Sequence, residues 1–210
     1  MVRQRLPIIK KGIRDLTDTT YDKLETLLGI ALAPVDRPRA VSLVFFFSLL
    51  MALAAQIIFP IGPVPVTAQT LVVLLTGALL GSRLGAAAMI VYLVEGASGL
   101  PFFAGGTGGI GHLLGPTGGY LVAFPAAAFI TGAFAENGWD KRFLTAVAAM
   151  AVGSVVIMLS GWIWLAISTN TSAAIAFQLG VGPFIIGDLI KILLAAAALP
   201  SGWALLRRRS

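Results

Sequence analysis

Pro183–Ala196 reads PFIIGDLIKILLAA and lies inside the last of several long apolar runs. It carries Asp188 and Lys191, an acid and a base three residues apart. In a helix that spacing puts both side chains on one face, about one turn from each other. A charged residue at the centre of a bilayer costs on the order of 2.5–3.5 kcal/mol, so two in one apolar run call for a reason. One reason is a polar pocket that grips a small ligand with both charges. The other is a buried ion pair that only neutralises itself.

The surrounding composition makes the run a membrane segment. Of the 210 residues, 58% are hydrophobic and 11% charged, against about 25% charged in soluble domains. The chain has no cysteine, which excludes disulfides and thiolate metal sites, and its single histidine, His112, argues against a histidine metal centre. Met1–Ala40 is polar and long, so the first apolar run reads as a retained transmembrane helix, not a signal peptide.

Six apolar segments are expected to span: Val41–Phe59, Thr67–Leu80, Leu84–Ala97, Gly119–Ala135, Phe143–Ile167 and Pro183–Leu206. A full span needs roughly 20 residues, and the second and third segments are short. A re-entrant hairpin would leave Arg83 at membrane depth, whereas a spanning pair places it in an aqueous turn at lower cost. The chain thus divides into a basic arm (1–40), a six-helix membrane domain (41–206) and a basic tail (207–210). Within the arm, Asp18–Leu32 reads as a short amphipathic helix capped by Thr20 or Asp18, with Leu24, Leu27, Leu28 and Ala31 on one face.

Charge sets the orientation. With the N-terminus inside, the inner side holds 14 of the 15 basic residues, including Arg83, Lys141, Arg142 and Arg207–Arg209. The outer connections hold none, and Lys191 is the exception within the membrane. This is the positive-inside pattern, with both termini cytoplasmic, and it accounts for the net charge of +6 without nucleic acid. The embedded charges are Glu95, Asp188 and Lys191, all expected in the outer half.

The outer connection Gly99–Tyr120, GLPFFAGGTGGIGHLLGPTGGY, has nine glycines and no Asp, Glu, Lys or Arg. Glycine permits close backbone approach, so this stretch can fold back over a pocket, and interrupted membrane segments point to a transporter's binding site. The alternative is a flexible exposed loop, against which its apolar FF and ILL pieces argue. Gly106–Gly111 matches GxGxxG literally but lacks the strand, helix and acid of a dinucleotide site. No P-loop and no nucleophile–His–acid set is present, so the chain does not read as an enzyme. Gly77-xxx-Gly81-xxx-Gly85 and Ser48-xxx-Ala52 are small-residue stripes that allow close helix contact.

Four stretches in order, PVPVTAQTLVVLLTG (Pro63–Gly77), GLPFFAGGTGG (Gly99–Gly109), GPTGGYL (Gly115–Leu121) and PFIIGDLIK (Pro183–Lys191), resemble the BioY family. These are the biotin-binding S components of energy-coupling factor (ECF) vitamin transporters. The resemblance covers roughly Val41–Leu206. It implies an all-α, six-helix S-component fold that binds one biotin near the outer surface and needs no cofactor. ATP would be used only by separate partner ATPases, reached through a transmembrane coupling subunit. Transport would proceed by whole-body reorientation in the inner membrane of a bacterial cell, and some members are proposed to act without that module, as oligomers.

The resemblance further implies that Asp188 and Lys191 contribute to the biotin site. Asp188 can accept from a ureido N–H, and Lys191 can pair with the carboxylate or bond the ureido oxygen; both options stay open. Gln69 offers a donor and an acceptor. Phe102, Phe103 and Tyr120 could pack on the bicyclic ring and tail, while Gly115, Thr117 and Gly118 supply backbone groups. Tyr92 and Glu95 complete the candidates, and Glu95 reads equally as a structural partner for Lys191. The family docks on its coupling subunit through a small-xxx-small motif, usually AxxxA, on the first helix. Here Ser48-xxx-Ala52 is the nearest match. Two rival readings remain: an S component for another small vitamin, or a membrane protein in which Asp188–Lys191 is only a structural pair.

Overall fold

A computed structural model describes residues 26–33, 35–59 and 64–207, with no side-chain description at 207. Among the described residues the secondary structure is helical apart from one antiparallel pair of two-residue strands. Its elements are α1 (Leu27–Ala31), α2 (Arg37–Ala55), β1 (Ile58–Phe59), β2 (Val66–Thr67), α3 (Gln69–Leu80), α4 (Ser82–Ala97) and α5 (Ile110–Leu114). They continue as α6 (Gly118–Glu136), a 3-10 turn (Trp139–Lys141), α7 (Phe143–Ser168), α8 (Ala173–Gly180) and α9 (Phe184–Arg207). Four helices, α2, α6, α7 and α9, are long and apolar enough to cross a membrane. The shorter α3 and α4 occupy the second and third expected segments.

The six expected segments coincide with helices, and the end shifts have local causes. Helix α2 starts at Arg37 because Asp36 caps it, accepting from the Arg39 N–H at 3.1 Å, with Pro38 in the first turn. It ends at Ala55 because Ile58 and Phe59 leave to pair with Thr67 and Val66. Within the expected helix Asp18–Leu32, Leu27–Ala31 is helical and capped by Thr26; residues 1–25, with Asp18, Thr20 and Leu24, lie outside the described residues, as do Arg208 and Arg209.

Helix α6 is the hub. Its most apolar window is 61% buried, against 33% or less for the other three long helices. It packs on α3, α4 and α7, and the contact is close because small residues meet there. A Cβ at Gly77 of α3 would strike the Ala128 carbonyl, and one at Gly132 of α6 would strike the Gly81–Ser82 backbone. The glycine stripe 77/81/85 is therefore a packing seam. The Ser48-xxx-Ala52 stripe also faces inward: Ser48 is fully buried and Ala52 is 8% exposed. That corrects its reading as a docking surface, because α2 turns Phe45, Phe46, Leu49 and Leu53 outward instead.

Contacts sort the two ends of the bundle. At one end the Glu136 carboxylate accepts from the Ser82 N–H (2.7 Å), and the Trp203 indole donates to Asp140 (2.6 Å). Every described Lys and Arg except Lys191 lies toward this end. The opposite end gathers β1–β2, α5, α8 and the start of α9, and there the polar side chains converge.

Candidate ligand site

Helix α9 presents Asp188 and Lys191 on its inward face, as the i, i+3 spacing requires. Lys191 Nζ lies 3.0 Å from Asp188 Oδ1, 2.9 Å from Thr70 Oγ1 and 2.7 Å from the Thr67 carbonyl. The three protons of the ammonium thus have three acceptors. Thr70 donates to Asp188 Oδ1 at 3.0 Å, and Ser154 of α7 donates to Oδ2 at 2.9 Å. The pair is a neutral network that pins α9 to α3 and α7. Asp188 is buried, and the Lys191 side chain is 16% exposed. Such satisfaction is what makes two charges tolerable at this depth.

The β1–β2 pairing explains why Thr67 offers its carbonyl here. Thr67 ends β2, turns the chain into α3, and leaves Gln69 and Thr70 in the first turn facing α9. Gln69 accepts from Thr67 Oγ1 (2.9 Å) and donates to the Tyr92 hydroxyl (2.8 Å), which donates to the Phe102 carbonyl (3.3 Å). The floor is thereby tied to the outer connection.

Thr67, Gln69 and Thr70 line a small, partly open cavity of about 40 Å³. Its apolar wall includes Phe124, Ile157, Met158 and Phe184, and its roof includes Ala104, His112, Thr117 and Tyr120. Asp188 and Lys191 stand behind Thr70. Asp188 and Ser154 also reach an apolar groove between α7 and α9, and Met158 and Phe184 border both spaces.

The glycine-rich connection forms the roof. Phe103 bridges to Thr107, and Gln56, just past α2, clamps this hairpin. Its Nε2 donates to the Phe103 carbonyl (3.2 Å), and its Oε1 accepts from the Gly106 N–H (2.9 Å). The His112 ring stacks on Phe103 at 5.1 Å between centroids, with Thr107 Oγ1 3.2 Å from Nδ1 and Thr117 Oγ1 3.3 Å from Nε2. Burial lowers its pKa below the usual imidazole value. Tyr120 stacks on Phe184 and donates to the Gly180 carbonyl at 2.7 Å, anchoring the α8–α9 corner.

Of the residues expected from sequence, Gln69, Thr117 and Tyr120 line the cavity, and Asp188 and Lys191 back its floor. Tyr92 and Phe103 are fully buried supports, and Phe102 is half-buried. The Gly115 carbonyl accepts from the Trp164 indole (2.8 Å), and Gly118 is buried against Leu113. Glu95 does not join this network; its Oε2 is buried with no hydrogen-bond partner among the described residues. The functional candidates missed from sequence are Gln56, Thr67, Thr70, Ser154 and Phe184. Thr67 and Thr70 lie within the quoted PVPVTAQT stretch. Ser154 offered only a hydroxyl in an apolar run.

The family model described as the BioY family matches residues 26–208. The chain belongs to the BioY family. A relative from Pyrococcus horikoshii, named as a probable biotin transporter BioY, is 47% identical over 156 residues, covering 74% of this chain and 90% of the relative. The biotin transporter BioY2 of Lactococcus lactis subsp. cremoris is 34% identical over 174 residues, covering 81% and 92% respectively. A crystal structure of the S-component for biotin from an ECF-type ABC transporter is similar with a TM-score of 0.72 and 26% identity. That likeness covers 83% of this chain and 93% of the other. A BioY membrane protein of several helices is thus the setting of the cavity just described.

Proposed function

We propose that this chain binds biotin from the outer side of the cytoplasmic membrane and serves as the substrate-binding component of a biotin uptake system. The observation that carries the reading is the roofed cavity whose floor is Thr67, Gln69 and Thr70, backed by the Asp188–Lys191 pair. Biotin's ureido group offers two N–H donors and one carbonyl acceptor. The floor answers with hydroxyls and an amide, and behind Thr70 stands the Asp188 carboxylate, whose Oδ2 has one donor among the described residues. The apolar wall suits the bicyclic ring and the methylenes of the tail. In this BioY chain Asp188 accepts from the ureido group, while Lys191 holds Thr67 and Thr70 in place.

Six spans with both termini cytoplasmic agree with the basic residues gathered at one end. The named relatives support transport over enzymatic turnover. Work with a coupling subunit and two ATPases follows from the similarity to an ECF-type S-component, and docking would use a face other than Ser48-xxx-Ala52. Equilibrium binding of labelled biotin to purified protein, with Asp188→Asn and Lys191→Ala beside wild type, tests the proposal. Tight wild-type binding weakened by about 2 kcal/mol or more in Asp188→Asn is the expected result. Well-folded wild type that ignores biotin sinks it, and a panel of other vitamins then follows.

A further inference from the structure

The connection between α6 and α7 holds a second polar cavity, at the end of the bundle away from the ligand site. Asn137, Gly138, Trp139, Lys141, Arg142 and Thr145 line it, around about 490 Å³ of space open to the surroundings. Arg142 is exposed and forms no ion pair among the described residues. Lys141 is also exposed, and its Nζ sits 4.8 Å from the centre of the Trp203 ring, which fixes the ammonium on this side of the loop.

The loop's one acid is withdrawn. Asp140 is 2% exposed, does not line the cavity, and accepts from the Trp203 indole. Burial raises its pKa in spite of that bond and the nearby Lys141 charge. The Thr145 hydroxyl spends its proton on the carbonyls of Trp139 (2.6 Å) and Arg142 (3.0 Å), which holds the loop in shape. Two cations therefore border a formed polar space with little opposing charge.

The flanks identify the occupant. Phe143 and Leu144 follow directly, 44% and 79% exposed, and open the lipid-facing side of α7. Trp139, 37% exposed, packs on Phe134 with ring centroids 4.6 Å apart and the planes tilted by 40°. A half-exposed tryptophan beside basic side chains and exposed apolar ones matches the boundary between headgroups and acyl chains. A soluble anion would use the cations but not the apolar flank.

We propose that the α6–α7 connection binds the phosphate of an anionic phospholipid, with Arg142 and Lys141 on the phosphate and the acyl chains along Phe143 and Leu144. Arg142 supplies the bidentate contact to phosphate oxygens. The proposal needs the chain to be a multi-pass membrane protein and does not depend on the vitamin it carries.

Native mass spectrometry of the purified full-length protein in detergent tests it, with phosphatidylglycerol, phosphatidylcholine and inorganic phosphate as probes. Arg142→Gln is the primary variant, since it leaves the Lys141–Trp203 contact intact at an exposed position. Arg83→Gln removes the same charge from an exposed position in the first turn of α4 at the same end. One phosphatidylglycerol should be retained in preference to phosphatidylcholine, and Arg142→Gln should weaken it about fivefold or more. Arg83→Gln should leave it unchanged. Equal losses in the two variants would reduce the effect to bulk surface charge and overturn the site. Equal retention of the two lipids would overturn its anionic character, and phosphate bound as tightly as phosphatidylglycerol would overturn the lipid as its source.

Discussion

Ser154 on α7 and Asp188 on α9 meet through a 2.9 Å hydrogen bond across 34 residues of sequence. Among the described residues it is the one hydrogen bond to Asp188 Oδ2, while Oδ1 takes both Thr70 and Lys191. Ser154→Ala therefore leaves half of a buried carboxylate without a donor. We expect a stability loss of about 1–2 kcal/mol together with weaker biotin binding, read by thermal unfolding in detergent and by equilibrium binding. Ser154→Thr, which restores the hydroxyl, should recover most of the binding. Unchanged stability and affinity in the alanine variant would show that Oδ2 is satisfied some other way.

Lys191 separates two roles that its charge alone leaves open. Its three protons already have acceptors in the protein, so the role proposed for the lysine is to position Thr67 and Thr70, not to hold the biotin carboxylate. Lys191→Ala should then weaken biotin and its tail amide by the same factor, roughly tenfold or more. A cycle of two proteins and two ligands measures the coupling. A much larger loss for biotin than for the amide would place Lys191 on the carboxylate.

Much of this arrangement was legible in the chain because charges and turns announce themselves. Asp188 and Lys191 stood out by cost, Gln69 by polarity at the head of an apolar run, and the roof by its glycines. The segment boundaries followed from hydropathy, although Asp36 and Pro38 moved one start and the β1–β2 pairing moved one end. Thr70 and Ser154 were not legible, because a hydroxyl in a helix can bond its own backbone, as Thr76 does with the Val72 carbonyl. Only the tertiary approach of α3, α7 and α9 turns such hydroxyls toward Asp188. Glu95 misled for the converse reason: three charges at one expected depth need not share a face of the bundle. Ser48-xxx-Ala52 misled because spacing says nothing of whether a small-residue face points outward.

Gly161 supports the roof from behind. A Cβ there would run into the Tyr120 ring, which lines the cavity and holds the Gly180 carbonyl. Gly161→Ala should destabilise by about 1–3 kcal/mol through overpacking and should weaken biotin binding. Gly111→Ala, with open space around its Cβ position, is the control and should change stability little. The two thermal transitions measured side by side check the pair, and a tolerated Gly161→Ala would mean that Tyr120 can shift without cost.

His112 should make biotin binding sensitive to pH if its ring leaves Phe103 for water when the roof opens to admit the ligand and returns when it closes. In the closed roof its ring is partly buried on Phe103, which disfavours the imidazolium and lowers its pKa. When the roof opens, the ring returns to water and its usual value near 6.5. The open form thus takes up a proton more readily than the closed form. Closure is fully supported above about pH 6.5 and loses support as pH falls from there toward the closed-roof value. Below that value both forms are protonated and the loss levels off. Biotin affinity should therefore be lower at about pH 5.5 than at about pH 7.5, and His112→Gln should flatten the difference. Binding titrations of both proteins across that range provide the check. A pH dependence that persists unchanged in His112→Gln would assign it to another group and remove His112 from the control of closure.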